Sequence, residues 1–201
     1  MILAMLLLSP RALASSCDEL VRTARAHEAQ NEIDVALRQY NDAVTLDPTC
    51  TAAWIGLGDL RARTGDAAEA ERVYNAALSH VPALRAAIAG RARARWRLGR
   101  QDEAEDDMRA YVEKTSALDP RASLAALVEL ASWYASLHQA PAELACWRRI
   151  AASAPGVDDA LAQRARTTVA ALAILVGPAD PVTHPPRTDL LRSVAARLRL
   201  R

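Results

Sequence analysis

A 34-residue period runs through the chain and limits what it can fold into more than any other feature. Asn31, Gly65 and Gly99 recur at that interval, as do Ala36, Ala70 and Ala104, and the series Tyr40, Tyr74 and Met108. Ala43 with Ala77 and Pro48 with Pro82 keep the same frame. Without a gap, the stretch from Thr51 to Ala70 aligns on that from Arg85 to Ala104. A unit of this length cannot bury its own apolar face, so units must stack and share one core. Composition says which kind of unit. Phe is absent, Gly numbers only 7 and Ala is abundant, whereas the β-branched and aromatic residues that strands favour are sparse. The expectation is an all-α stack of helix pairs. A hydrophobic share of 51% with a net charge of +1 excludes a disordered chain and a polybasic nucleic-acid tail.

In that frame the second unit reads Trp54-x2-Leu57-Gly58, then Ala70-x3-Tyr74, Ala77 and Pro82. This resembles the tetratricopeptide repeat, W-x2-L-G-x2-Y followed by A-x3-F and P, with Arg61 standing where an aromatic is expected. The residue types make physical sense. Gly58, Ala70 and Ala77 let two helices approach closely, Tyr74 and Trp54 fill the gaps, and Pro82 cannot continue a helix. The resemblance implies a right-handed α-solenoid of about four helix pairs, with repeats at 17–50, 51–84, 85–118 and 124–157. The first repeat is recognisable mainly in its second helix, through Ala36, Tyr40, Ala43 and Pro48. In the third, Arg91 and Arg95 occupy places normally apolar, and Trp96 falls one residue past the usual aromatic. A short insertion around Ser116–Ser123 precedes the fourth, which has Glu143 in place of the expected Ala. Residues 158–176 are expected to cap the stack as a helix, favoured at its start by Asp158 and Asp159 and stopped by Gly177-Pro178.

The two ends read differently. Ile2–Leu8 is an apolar run followed by Ser9-Pro10 and Ala12-Leu13-Ala14, the layout of a secretory signal peptide over 1–14 cut after Ala14. No Lys or Arg precedes the run, and it is far short of the ~20 residues that span a bilayer. The expected location is therefore periplasmic or secreted. The alternative is a lipoprotein anchored at Cys17, although Leu is absent three places before that Cys. Residues 177–187 read as a Pro-rich linker. A tail helix over 188–201 follows, with Leu190, Leu191, Val194, Ala195 and Leu198 as an apolar stripe and Arg192, Arg197 and Arg199 toward water. That helix either folds back on the solenoid or meets an anionic membrane surface.

No catalytic constellation stands out. His27, His80, His138 and His184 lie far apart, without the spacing of a metal site or a Ser or Cys partner. Gly56-x-Gly58 falls within a helical segment rather than after a strand, so it is no dinucleotide loop. No metal, cofactor or enzymatic activity is expected. Cys17 opens the first repeat and Cys50 ends it, which places both near one edge of the solenoid. Either they form a disulfide, with Cys146 as a buried free thiol, or all three are unpaired. The resemblance further implies that the first helix of each repeat lines a groove for a peptide or protein segment. By helical phase the groove side includes Arg25, Asp59, Arg63, Arg93, Trp96 and Arg97. Arg85, Arg91, Arg93, Arg95, Arg97 and Arg100 crowd a stretch without acids, which suits carboxylates or an acidic partner. Two other readings compete: Trp96 packs between the third and fourth repeats, and the arginines pair with Asp102–Asp107. Some proteins of this family grip a terminal carboxylate with Lys and Asn residues on successive first helices. Val21, Arg25, Gly56 and Gly90 stand at those places here, so only Arg25 fits that role. The expected function is a non-enzymatic scaffold that binds a protein or peptide. Its alternatives are an envelope assembly component anchored at Cys17 and a regulatory subunit of a separate enzyme.

Overall fold

The computed structural model describes residues 10–177, with side chains from Ser16 onward. The apolar run Ile2–Leu8, the linker from 178 and the tail segment 188–201 lie outside the described residues. Within them the chain is all-α, with nine helices: α1 (Pro10–Ala29), α2 (Ile33–Leu46), α3 (Thr51–Arg63), α4 (Ala67–His80), α5 (Arg85–Arg97), α6 (Gln101–Thr115), α7 (Pro120–Ser136), α8 (Ala140–Ser153) and α9 (Asp159–Val176). Among the described residues, no helix is long and apolar enough to cross a membrane.

The period is visible in the turns. The middle residue of the turn closing each of the four helix pairs takes positive φ: Asn31 (60°), Gly65 (89°), Gly99 (76°) and His138 (56°). Glycine adopts that conformation without steric penalty, Asn tolerates it, and His is the exception. Helix starts carry their own signals. Asp66, Asp119 and Asp158 accept hydrogen bonds from the backbone N–H of Glu69, Ala122 and Leu161, satisfying donors that the first turn leaves free.

The stretch 116–123, expected as an insertion, resolves otherwise. Ser116–Asp119 is an ordinary link, and α7 begins at Pro120, four residues ahead of the expected start of the fourth repeat. α7 has 17 residues where α3 and α5 have 13. Four extra residues are about one helical turn, so the buried face of α7 keeps its direction.

Helices pack on their chain neighbours, and α3 also lies against both α1 and α5. No Cα pair of α5 and α7 comes within 8 Å. Ala36, Ala70 and Ala104 are fully buried where paired helices meet, as are Tyr40, Tyr74 and Met108. The core forms two clusters that share α5: Ala87 and Ala94 belong to one, Ala92 to the other. Between these clusters, polar side chains replace part of the apolar packing. Arg91 clamps Asp107 with two hydrogen bonds (2.7 and 2.8 Å) and donates to Asn75 Oδ1. Arg95 bridges Glu71 (2.9 Å) and Asp107 (2.8 Å), and Arg100 holds Glu71 and Glu103. Glu71 and Asp107 are buried at 7% exposure, so this pairing replaces the water that both carboxylates lose.

Candidate functional site

The first helices of three repeats, α1, α3 and α5, border a cleft of about 500 Å³. Its floor comes from the second helices. The rings of Tyr40 on α2 and Tyr74 on α4 pass through hollows left by glycines. A Cβ on Gly56 would overlap the Tyr40 ring, and one on Gly58 or Gly90 would overlap that of Tyr74. Both hydroxyls thereby reach the cleft. Tyr40 donates to Glu28 Oε2 at 3.0 Å, and Tyr74 donates to Asp59 Oδ1 at 2.6 Å. Burial, reinforced by Glu28, pushes the Tyr40 hydroxyl up to about 12. Tyr74 is pushed up further, by burial first and then by Asp59, against the opposing pull of Arg93 and Arg97. Both phenols stay neutral donors at any physiological pH.

Four guanidinium groups rim this floor: Arg25, Arg63, Arg93 and Arg97. They face the two carboxylates of Glu28 and Asp59, so the lining is formally cationic. Arg63 forms an ion pair with Glu28. Arg93 reaches across to α7 and binds both oxygens of Glu129 at 2.9–3.0 Å, which holds its guanidinium above the ordinary arginine range. Arg97 donates to the carbonyl of Ala62 at 2.7 Å, and Arg25 lies beside the Tyr40 hydroxyl. Among the described residues, neither Arg25 nor Arg97 has a carboxylate within 4.0 Å. Those two groups can take an anion without giving one up.

Five of the six residues expected on the groove side therefore line one cleft: Arg25, Asp59, Arg63, Arg93 and Arg97. Trp96 does not. It stacks on Trp133 of α7 with ring centroids 4.6 Å apart and planes 5° from parallel, filling the space between the third and fourth repeats. One residue is about 100° of helix, enough to carry Trp96 off the face that Arg93 and Arg97 share. The arginine-rich stretch likewise divides. Arg91, Arg95 and Arg100 turn inward to the acids of α4 and α6, whereas Arg93 and Arg97 face the cleft. Sequence reasoning missed the floor, because Tyr40 and Tyr74 read as core residues. The available signal was the coupling of each tyrosine to a glycine on an adjacent first helix.

Away from the cleft, Cys17 and Cys50 are joined as a disulfide with Cα atoms 6.5 Å apart, and both are buried. Cys146 is a free, buried thiol, pushed up to about 11 by that burial. His80 stacks on Trp54, and His27 pairs with Glu32. No cluster of His, Cys, Asp and Glu able to hold a metal ion occurs among the described residues.

Residues 21–88 match the family model of the tetratricopeptide repeat. Among solved structures, the chain is similar to the first TPR of Spaghetti (RPAP3) bound to the HSP90 peptide SRMEEVD. The TM-score is 0.54 at 22% identity, over 62% of this chain and 94% of that one. The NMR structure of the first TPR domain of human RPAP3 gives the same values. The MamA protein is similar over 80% of this chain and 87% of its own, with a TM-score of 0.60 at 14% identity. Among curated proteins, none matches this sequence. Residues 21–88 are thus similar to the tetratricopeptide repeat, and the described residues have the fold of an all-α solenoid of tetratricopeptide type.

Proposed function

We propose that this chain is a non-enzymatic scaffold whose cleft between α1, α3 and α5 holds an acidic segment of a partner protein. The observation that carries this reading is the pair Arg25 and Arg97, which rim a floor of tyrosine hydroxyls and have no carboxylate of their own. A segment laid along the cleft meets cationic donors on both sides and replaces their water with charge-assisted hydrogen bonds. Tetratricopeptide domains generally mediate protein–protein interaction, and the RPAP3 domain carries a peptide with two consecutive glutamates. In this chain, tyrosine rings fill the space at Gly56 and Gly90.

The test is fluorescence anisotropy with labelled heptapeptides, comparing Asp/Glu-rich sequences with Lys-rich analogues on the full chain. Acidic peptides should bind more tightly, and Arg25→Ala/Arg97→Ala should weaken them at least about tenfold, given ~1.5–3 kcal/mol per charge-assisted bond. Arg148→Ala, an exposed arginine on α8 outside the cleft, serves as the control. Unchanged binding by the double arginine variant would remove the cleft as the site.

The disulfide favours an exported protein in an oxidising compartment, periplasmic or secreted. It also weighs against lipid attachment at Cys17, since one sulfur cannot hold both a thioether to a lipid and a bond to Cys50. Intact mass of the unreduced protein decides the matter: a diacyl adduct would overturn the disulfide reading.

A further inference from the structure

α9 packs one face on α8 and leaves the other bare. Its outward side carries Thr167, Ala170, Ala171, Ile174 and Leu175, all exposed, at the i, i+3, i+4, i+7, i+8 spacing of a single helical stripe. Ile174 and Leu175 are 83% and 77% exposed. Among the described residues nothing covers them. Small residues followed by large aliphatic ones make a surface on which a second helix can settle closely. The preceding first helices, α3, α5 and α7, each have such a helix directly after them in the chain.

We infer that the segment 188–201 of this chain covers that stripe with its own apolar residues. The occupant is argued from the chain that remains. After Gly177 there are 24 residues to Arg201, and the last of them carry the apolar series Leu190, Leu191, Val194, Ala195 and Leu198. The intervening 178–187 can extend to roughly 33 Å, while α9 is roughly 27 Å long, so the segment can enter at either end of α9. The cleft is a poor competitor, because the segment brings Arg192, Arg197, Arg199 and Arg201 against one Asp and would meet a cationic rim. A second copy of the chain is also disfavoured. From Thr167 to Leu175 the stripe runs only about 12 Å, too short alone for the ~800 Å² per partner of a stable interface. A tethered segment needs far less area, since attachment holds it at millimolar effective concentration.

Hydrogen exchange read by mass spectrometry on the full chain, at low and high protein concentration, tests this. Amides of 188–201 should exchange at least about tenfold more slowly than a random coil, independently of concentration. Ile174→Asp/Leu175→Asp should abolish that protection. Reciprocally, Leu190→Asp/Leu191→Asp should speed exchange in the last turns of α9. The first pair of substitutions lies on exposed positions, so the solenoid itself stays folded. Coil-like exchange of 188–201, protection that grows with concentration, or protection indifferent to Ile174→Asp/Leu175→Asp would each overturn the proposal.

Discussion

The ring of Tyr74 occupies the volume that a side chain at Gly90 would need, and its hydroxyl reaches Asp59 at 2.6 Å. The same ring lies against Gly58 on the neighbouring helix, so it cannot retreat from either side. Gly90→Ala should therefore destabilise the protein by about 1–2 kcal/mol: overpacking costs ~1–3, and the better helix propensity of Ala returns up to ~1. Urea denaturation measures it. A gain in stability would show that the ring moves freely, and the floor of the cleft would lose its rigidity.

Arg91 and Asp107 stand at the register positions that Leu57 and Val73 occupy one period earlier. Asp107→Ala leaves the largely buried Arg91 guanidinium without a carboxylate, while Arg95 keeps Glu71, and should cost about 3 kcal/mol. Arg91→Leu/Asp107→Val, which borrows the apolar pair, should recover most of that loss. A double-mutant cycle on unfolding free energies checks both values.

His138 takes φ 56° where the equivalent turns place Asn31, Gly65 and Gly99. His138→Gly relieves a left-handed residue and should stabilise by about 0.5–1 kcal/mol, net of the chain entropy glycine adds. Asn31→Gly should change little, and Gly65→Ala should lose about 1 kcal/mol. The three urea midpoints are expected in that order.

Reducing the Cys17–Cys50 bridge reopens a loop with a sequence separation of 33 and should cost roughly 3–4 kcal/mol. Thermal melts with and without reductant give the difference, and Cys17→Ser/Cys50→Ser should match the reduced curve. Cys146, buried and with its thiol pushed up to about 11, should resist iodoacetamide until the protein unfolds.

How far these features were legible depends on whether they repeat. The turn glycines, the small residues at helix contacts and the tyrosines share one interval, so helix pairs and their phase could be read from spacing. Pro120 behind the capping Asp119 marked the start of α7, but a fourth repeat held to 34 residues and ending at 157 begins only at 124, which hid the added turn. The side-chain network was illegible for another reason. Arg95 meets Glu71 from 24 residues away and Arg93 meets Glu129 from 36, and no local pattern announces pairs that only stacking creates. Trp96 shows the same limit, because its place is decided by Trp133 rather than by its own helix.

α5 and α7 have no close backbone approach, and the Trp96–Trp133 stack and the Arg93–Glu129 pair span the space between them. Arg93 consequently serves two masters. It rims the cleft with one edge and fastens the fourth repeat with the other. An anion that drew this guanidinium into the cleft would turn it away from Glu129, so filling the cleft would loosen the joint to the fourth repeat.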